Sequence, residues 1–271
     1  MPEGHTIHRY ASLHRKALAG RRLSACSPQG RFAEGAARLD GSRLRAVEAY
    51  GKHLFYRWQL PEPATLHVHL GLFGHFRNFE PGAGPAPPPT AGTRLQLMRA
   101  DGYVLRLAGP TICRLITPAQ RDAVLARLGP DPLRRDGDPQ RMHAALRRRG
   151  VGIGQALLDQ GVVAGIGNVY RAEALFLAGI DPQRPARDLD HQEVEALWAS
   201  LVKLLRRGRR TGRIVTIEAT DRSVPASRLP RSETLYVYGR AGQPCRRCGT
   251  AIRAWTLGGR TVSACPACQP R

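Results

Sequence analysis

The chain has 271 residues, of which 42 are Lys or Arg and 21 are Asp or Glu, so its formal net charge is +21. Hydrophobic residues make up 42% of the sequence, which excludes global disorder. No apolar run approaches the roughly 20 residues that a membrane-spanning helix needs. The length favours two domains with a small appendage. Because basic residues are spread over the whole chain, we expect a folded surface that binds a polyanion, nucleic acid before a membrane; a merely solvated basic surface is the alternative.

The first predicted element is a helix over residues 5–18, whose apolar residues share one face and in which Thr6 is placed to act as the N-cap. Residues 1–20 contain scattered His and Arg instead of the apolar core of a signal peptide. We therefore expect a soluble, cytosolic protein.

The residues ahead of this helix, Pro2 and Glu3, form a candidate catalytic pair. If Met1 is removed, Pro2 presents a secondary amine, and an α-amino group has a pKa of about 7.7–8.0 against about 10.4 for lysine. Such an amine can attack an aldehyde-like carbon and form an iminium, with Glu3 donating or shuttling a proton. The alternative is an ordinary processed terminus with a Glu near the positive end of a helix.

Short segments rich in alternating or β-branched residues predict strands between residues 44 and 117. The predicted strands are residues 54–58, 66–70, 95–98, 103–107 and 113–116. The Pro/Gly-rich segment 81–89 predicts an exposed loop between two of them, because proline and glycine do not suit a sheet interior.

Two tips in this region are candidates for DNA contact. Lys52 follows a glycine and precedes a strand, so it could reach toward a phosphate from a hairpin tip; a surface lysine without a role is the alternative. Leu72 and Phe73 lie between Gly71 and Gly74 and would be exposed there. An exposed apolar wedge can enter a base stack, whereas a buried turn is the alternative.

The second half of the chain predicts a mainly helical domain. Residues 128–140, rich in Asp, Gly and Pro, predict an interdomain linker. The helical segments beyond it are 141–149, 153–160, 168–178 and 191–207. The glycine-rich turn before residue 168 predicts a phosphate site at a helix N-terminus, with Asn168 capping the helix or contacting the same phosphate. A tight connection without a ligand is the alternative.

The C-terminus carries two CxxC units separated by sixteen residues: Cys245, Cys248, Cys265 and Cys268. Four thiolates can hold one structural zinc ion and stabilise a hairpin that is too small to bury a core. Disulfides are the alternative, but a chain without a secretory signal is expected to keep its thiols reduced. The sequence predicts no organic cofactor.

Together these segments resemble the Fpg/Nei family of DNA glycosylases, which comprises formamidopyrimidine-DNA glycosylases and endonucleases VIII. The matching motifs occur in family order along the chain: Pro2-Glu3, Gly51-Lys52-His53-Leu54, His69-Leu70-Gly71, the 128–133 segment, Gly165-Ile166-Gly167-Asn168 and the CxxC pair. The start at Glu3-Gly4 resembles the endonuclease VIII branch, and the whole sequence is similar to the actinobacterial members of that branch. The resemblance implies an α+β multidomain protein with domains at 1–127 (a β-sandwich with flanking helices), 141–235 (a helix-two-turn-helix domain) and 236–271 (a β-hairpin zinc finger), joined by the linker 128–140.

The same resemblance implies a bifunctional DNA glycosylase and abasic-site lyase of base excision repair that removes oxidised bases, pyrimidines above all. Pro2 would attack C1′ of the flipped nucleotide as a Schiff-base nucleophile, Glu3 would assist protonation of the sugar, and Lys52 would act near the flanking phosphate. β,δ-Elimination would follow. The resemblance also assigns residues to DNA binding. The DNA backbone would be held by His69, Asn168 and Arg260. The void left by the flipped nucleotide would be filled by Leu72 and Phe73.

Three positions depart from the family pattern. Thr6 stands where many members have a further Glu, so any acid function of that carboxylate is absent. Residues 109–113 replace a loop that carries an Arg and a Phe in the formamidopyrimidine branch, which puts the reading of the opposite base in doubt. Gly154 replaces a lysine, which argues against recognition of purine lesions.

Two other kinds of protein share some of these features. A catalytically silent zinc-finger DNA-binding protein on the same scaffold would explain the charge and the cysteines, and so would a basic ribosome-associated protein. Pro2, Glu3 and Lys52 distinguish an enzyme from both, because a pure binder has no need of that combination. We therefore predict an enzyme that acts as a monomer on damaged DNA.

Overall fold

The computed structural model describes residues 2–82 and 84–270. These residues divide into two compact units. The first unit contains Pro2 and Ile7–Ala126, and the second contains Glu3–Thr6 and residues 127–270. None of the helices formed by the described residues has the length and apolar character needed to cross a bilayer. Met1, whose removal is the condition for a free Pro2 amine, lies outside the described part of the chain.

The first unit consists of a β-sheet structure with flanking helices. Its elements in chain order are α1 (Gly4–Leu18, whose first turn groups with the second unit), β1 (Arg22–Cys26), α2 (Ala33–Leu39), β2 (Ser42–Tyr50), β3 (His53–Gln59), β4 (Thr65–His69), β5 (His75–Phe79), β6 (Thr93–Met98), β7 (Val104–Ala108), β8 (Ile112–Ile116) and α3 (Pro118–Ala126).

The strands follow the order β5-β7-β6-β1-β2-β3-β4-β8, and neighbouring strands are antiparallel. This order divides at β1, because Arg22 and Leu23 pair with β2 whereas residues 24–26 pair with β6. The strands therefore form two sheets that share β1. Alternate residues of the strands enter a common core that also receives the apolar face of α1. The predicted β-sandwich with flanking helices is therefore confirmed.

The prediction that Thr6 caps the first helix is wrong. Helix α1 begins at Gly4, so Thr6 lies inside its first turn, where its N–H donates to the Glu3 carbonyl at 2.9 Å. The Thr6 hydroxyl lies 3.1 Å from Nε2 of His5.

The second unit is mainly helical and ends in a two-stranded hairpin. Its elements are α4 (Pro139–Leu146), α5 (Ile153–Ala156), α6 (Asn168–Ala178), α7 (His191–Thr211), β9 (Arg253–Leu257) and β10 (Arg260–Ala264). Helix α7 begins with a capping box formed by Asp190 and Glu193 and ends at Gly212, whose φ is +72°. The predicted combination of a helical region with a C-terminal hairpin is confirmed.

The start of the stretch 128–140 is folded onto the second unit. Leu128 and Asp131 are buried. The Gly129 N–H donates to the carbonyl of Gln160 at 2.8 Å, and the Ala164 N–H donates to the carbonyl of Pro130 at 3.0 Å. This part of the stretch therefore has fixed backbone partners, although its composition is typical of a linker.

Glu173 attaches the segment before the hairpin to α6. Its fully buried carboxylate accepts hydrogen bonds from the N–H groups of Tyr236, Val237 and Tyr238 at 2.8–2.9 Å and from the Thr216 hydroxyl. Burial raises the pKa of Glu173, and these hydrogen bonds oppose that rise. A buried carboxylate thus fixes the chain that leads to the cysteine cluster.

Candidate active site and nucleic-acid interface

Glu3 is held by the N-terminus of α6. The side chain is fully buried, and its Oε2 accepts a hydrogen bond from the Gly167 N–H at 2.8 Å while Oε1 accepts one from the Val169 N–H at 2.9 Å. The Tyr170 N–H lies 3.5 Å from Oε2. Several N–H donors and the positive end of the helix dipole stabilise a carboxylate in its ionised form. Glu3, the residue that follows Pro2, is therefore held in one position by defined hydrogen-bond donors.

This arrangement corrects the predicted phosphate site at the same helix. The N–H groups of Gly167 and Val169 point to the protein's own carboxylate instead of a DNA phosphate. Gly167 is required there, because a Cβ would lie 2.5 Å from Cδ of Glu3. The Gly4 N–H also donates to the carbonyl of Gly165 at 2.8 Å, which fixes the turn against the chain start.

Asn168 was predicted either to cap α6 or to contact a phosphate, and it does not cap the helix. Gly167 occupies the N-cap position, and no side chain caps the helix there. Asn168 Nδ2 instead donates to the Thr261 carbonyl at 3.1 Å, and its Oδ1 accepts from Arg171. Thr261 follows Arg260, the exposed first residue of β10, so Asn168 and Arg260 belong to one surface.

Arg171 was missed by sequence reasoning. Its side chain is fully buried, and it donates to the carbonyls of Gly154 at 3.1 Å and Thr261 at 2.7 Å as well as to Asn168. Burial, together with the charge of Arg260, lowers the pKa of Arg171 to about 10. The available signal was an arginine in a largely apolar helix, since a buried charge there requires specific partners.

The four predicted cysteine ligands converge at the base of the hairpin. Their sulfur atoms all lie within 4.8 Å of one another, with Cys248 at 3.4 Å from Cys265 and 3.5 Å from Cys268. Sulfurs bound to one tetrahedral zinc at about 2.3 Å would be about 3.8 Å apart. The cluster therefore has the donor set and the spacing of a metal site. The hairpin above it turns at Gly258 and Gly259, both with positive φ, as a two-residue turn requires.

In the first unit, Lys52 lies at the turn between β2 and β3, where Gly51 has a φ of +54°. Next to it, His53, His67 and His69 form a cluster of rings on β3 and β4. His53 Nδ1 lies 2.8 Å from Nε2 of His67, and the rings of His53 and His69 are 4.9 Å apart. Burial lowers the pKa of His53 to about 3 and that of His67 to about 4. These two rings are therefore neutral at pH 7.

His69 is oriented as a neutral hydrogen-bond donor. Its Nδ1 accepts from the Gly71 N–H at 3.2 Å, so the ring proton is placed on Nε2. Burial and the nearby Lys52 charge lower the pKa of His69. The His69 carbonyl accepts from the Thr111 N–H at 2.9 Å, which connects the end of β4 to the 109–113 loop.

The predicted exposure of the apolar tip is confirmed. Leu72 is 56% exposed and Phe73 is 84% exposed. Gly71 has a φ of +65°, and a Cβ there would collide with Thr111, while the Gly74 N–H donates to the Leu70 carbonyl at 3.0 Å. The turn therefore presents its two apolar side chains to solvent from a tightly bonded base.

One of the three departures has a packing explanation. A Cβ on Gly154 would lie 2.9 Å from Cβ of Pro182 and 3.0 Å from a methyl of Leu257 in the hairpin, so a longer side chain would displace its neighbours. In the 109–113 loop, Thr111 contacts the turn that carries Leu72 and Phe73.

The predicted site residues thus lie in two groups. The second unit brings Glu3, Asn168 and Arg260 to the start of α6 and the hairpin, and the first unit carries Lys52, His69 and the exposed tip. Pro2 is bonded to Glu3 along the chain.

Comparisons with known proteins agree with this architecture. Residues 1–113 match the formamidopyrimidine-DNA glycosylase N-terminal domain, and residues 128–219 match the formamidopyrimidine-DNA glycosylase H2TH domain. Among solved structures, a complex of Lactococcus lactis Fpg with DNA containing N7-benzyl-Fapy-dG superposes with a TM-score of 0.80 at 26% identity, covering all of both chains.

Curated relatives are similar over the full length. A protein named Endonuclease 8 1 from Mycobacterium tuberculosis is 46% identical over 271 residues, which cover 99% of this chain and 100% of that protein. Probable endonuclease 8 2 from Streptomyces coelicolor is 36% identical and matches 99% of this chain and 94% of its own length. The chain therefore belongs to the Fpg/Nei family of formamidopyrimidine-DNA glycosylases and endonucleases VIII.

Proposed function

We propose that the protein is a base-excision-repair DNA glycosylase with abasic-site lyase activity and that Pro2 is its nucleophile. The observation that carries this proposal is the burial of Glu3 at the N-terminus of α6, where two N–H groups hold its carboxylate at 2.8 and 2.9 Å. These hydrogen bonds satisfy the N-terminus of α6 and also hold a carboxylate on the residue that follows the secondary amine of Pro2. A reaction that passes through a cationic intermediate needs such a group, because a fixed carboxylate stabilises positive charge.

The chemistry follows from a secondary amine beside a carboxylate. The Pro2 nitrogen forms a bond to C1′ of the damaged nucleotide, and the base leaves with the electron pair of the glycosidic bond. The C1′–O4′ bond then breaks as the sugar oxygen takes a proton, which leaves an iminium between C1′ and the Pro2 nitrogen. This iminium acidifies the C2′ proton, whose loss breaks the C3′–O bond, and a second elimination breaks the C5′–O bond. In this scheme Glu3 assists proton transfer to the sugar oxygen as the ring opens. Lys52 binds the phosphate that flanks the lesion or donates a proton near it.

The DNA contacts are assigned on the same basis. His69 offers Nε2–H as a neutral donor, and Asn168 and Arg260 share one surface of the second unit, so each suits a phosphate oxygen. Leu72 and Phe73 would fill the space that the flipped nucleotide leaves in the duplex. The net charge of +21 supports binding that weakens steeply with salt.

The four cysteines would hold one zinc ion as a structural site. A complete set of four thiolates leaves no open position for a reacting ligand, so zinc would stabilise the hairpin that carries Arg260. Metal analysis of the purified protein should find one zinc per chain, and loss of that metal should weaken DNA binding.

The substrate class and the organisation of the protein are also part of this proposal. We infer oxidised pyrimidines as the substrate class from the resemblance to endonuclease VIII and from Gly154, which replaces the lysine of the family pattern. The proposed domains are residues 1–127, 141–235 and 236–271, with 128–140 as the connecting stretch, in a cytosolic monomer.

Borohydride trapping tests the proposal. Protein shown by N-terminal sequencing to begin at Pro2 is mixed with labelled DNA that carries an abasic site or an oxidised pyrimidine, and borohydride reduces any iminium to a stable amine. We expect a covalent adduct that maps to Pro2, and Pro2→Gly should damage base removal. Tight binding without an adduct would refute the catalytic proposal and identify a silent DNA-binding protein on this scaffold.

A further inference from the structure

The guanidinium of Arg171 has an unusual set of partners for a buried charge. Its hydrogen-bond acceptors in the described part of the chain are three neutral oxygens, from Gly154, Asn168 and Thr261. These come from α5, α6 and β10, so the side chain joins three elements of the second unit. A buried cation held by neutral dipoles is costly unless an anion lies nearby.

The Glu3 carboxylate raises the pKa of Arg171 although it is not one of these acceptors, and the position of the guanidinium indicates which second anion would compensate its charge. Thr261, whose carbonyl accepts from both Asn168 and Arg171, is bonded to Arg260 along the hairpin. Arg260 in turn lowers the pKa of Arg171, which shows that the two positive charges act on each other. An anion bound at Asn168 and Arg260 would therefore lie in the field of both arginines.

The hydrogen bond to Asn168 also fixes the direction of its amide. Asn168 Oδ1 faces Arg171, and one Nδ2–H faces the Thr261 carbonyl, so the remaining Nδ2–H is the group available to a ligand. If the amide were rotated by 180°, an oxygen would take that place and repel a phosphate. Arg171 has no acceptor atoms and favours only the first orientation.

We infer that Arg171 is the positioning residue of the phosphate site formed by Asn168 and Arg260, and that it orients the Asn168 amide as a donor and adds a buried positive charge beside the DNA backbone. This inference rests on the proposed function, since it takes a DNA phosphate as the ligand. The inference adds Arg171 to the proposed DNA-binding site as a residue that does not itself touch the reacting atoms.

The test measures binding to a duplex that contains a tetrahydrofuran abasic analogue, which cannot be cleaved. Arg171→Gln should raise Kd about 10- to 100-fold, the range for hydrogen bonds to charged groups. Arg171→Lys keeps the charge but has no planar fork to reach three acceptors, so its Kd should lie between those of Arg171→Gln and the wild type. A Kd for Arg171→Gln within twofold of the wild type would overturn the inference.

A double-mutant cycle shows whether Arg171 acts through Asn168. The variant Arg171→Gln with Asn168→Ala should bind only slightly more weakly than Asn168→Ala alone, because the amide to be oriented is already gone. Fully additive losses would contradict the positioning role. Arg15→Gln is the control, since it removes the same charge and two hydrogen bonds to the Val47 carbonyl in the first unit. An equal rise in Kd for Arg15→Gln would show that the effect of Arg171→Gln comes from net charge alone.

The single-turnover rate of base removal at saturating DNA that carries an oxidised pyrimidine separates positioning from damage to α6. We expect the rate of Arg171→Gln to stay within about threefold of the wild type, whereas a disturbed α6 would release Glu3 and lower it strongly. A strong drop would therefore assign Arg171 a structural role. A wild-type protein that binds the analogue but cleaves no abasic DNA would refute the proposed function and leave the binding test of Arg171 valid.

Discussion

Two glycine-bounded turns carry much of the candidate site, and they use glycine in opposite ways. At 165–167 the absence of a Cβ lets the buried Glu3 carboxylate approach the N-terminus of α6. At 71–74 glycines shape a turn that presents Leu72 and Phe73 to solvent. Similar sequence patterns thus produce one fully bonded interior site and one exposed apolar tip. The difference lies in what each turn packs against, which the local sequence does not contain.

The largest effect should come from removing the charge at the first turn. Glu3→Gln keeps the shape but places an amide donor against a backbone N–H, so base removal should fall by roughly 10²- to 10⁴-fold. Cleavage of a preformed abasic site should fall less, because that substrate has already lost its base. Parallel rate measurements on both substrates check this. Equal losses on the two would contradict the division of labour.

Gly167→Ala tests the space at the same turn without changing any charge. The new Cβ would meet Cδ of Glu3 at 2.5 Å, and the φ of −122° at this position causes no backbone strain, so any loss comes from the displaced carboxylate. We expect about 100-fold slower base removal and a stability loss on the order of 1–3 kcal/mol. Gly92→Ala is the matched control, since no atom lies within 4 Å of its Cβ. Base removal by Gly167→Ala at the wild-type rate would contradict the predicted clash between the new Cβ and Glu3.

Phe73→Ala tests the second turn, where activity and stability should separate. With 84% of the side chain exposed, its removal should leave the free energy of unfolding within about 0.5 kcal/mol of the wild type. Activity on a lesion in duplex DNA should fall about tenfold, the scale of one lost stacking contact. Leu13→Ala, at a residue 47% exposed on α1, should change neither quantity. Destabilisation by Phe73→Ala would show that the tip is part of the core.

The smallest effect concerns acid stability in the first unit. Burial lowers the pKa of His14 and His53 to about 3 and that of His67 to about 4. In the unfolded chain these groups take up protons near pH 6.5, so the unfolded state binds more protons below that value and stability falls as pH decreases. The maximal slope is about 1.4 kcal/mol per pH unit for each histidine.

Urea unfolding between pH 7 and 5.5 measures this slope above the range in which carboxylates protonate. His14→Phe should reduce the slope, because His14 is fully buried against the Tyr56 hydroxyl at 2.7 Å. A free energy of unfolding that does not change over this interval would show that the three rings titrate normally.

The sequence predicted well those features that local patterns determine. Helix α6 begins and ends where periodicity placed it, at Asn168 and Ala178, and the predicted strands 54–58 and 113–116 lie within β3 and β8. Strand β5 was missed because it is an edge strand with polar, mostly exposed residues, so it lacks an apolar alternation.

The missed site features depend on contacts between distant segments. Glu3 and Gly167 are 164 positions apart, and Arg171 and Thr261 are 90 apart, so no local motif could show that a carboxylate occupies the predicted phosphate site or that an arginine orients Asn168. The cysteine spacing was informative because ligand spacing reflects the chemistry of the metal directly.

The division of the chain near residue 126 has a consequence for how this protein can be rearranged. The family matches end at 113 and resume at 128, so the two units look exchangeable, yet Glu3–Thr6 groups with the second unit while the rest of α1 groups with the first. A fragment that starts at residue 127 would keep the hydrophobic core of the second unit and lose the acid that its helix binds. A chimera with a relative would have to carry a matching chain start. Glu3–Thr6 and α6 must therefore be inherited together, although Glu3 and Gly167 are 164 positions apart in the sequence.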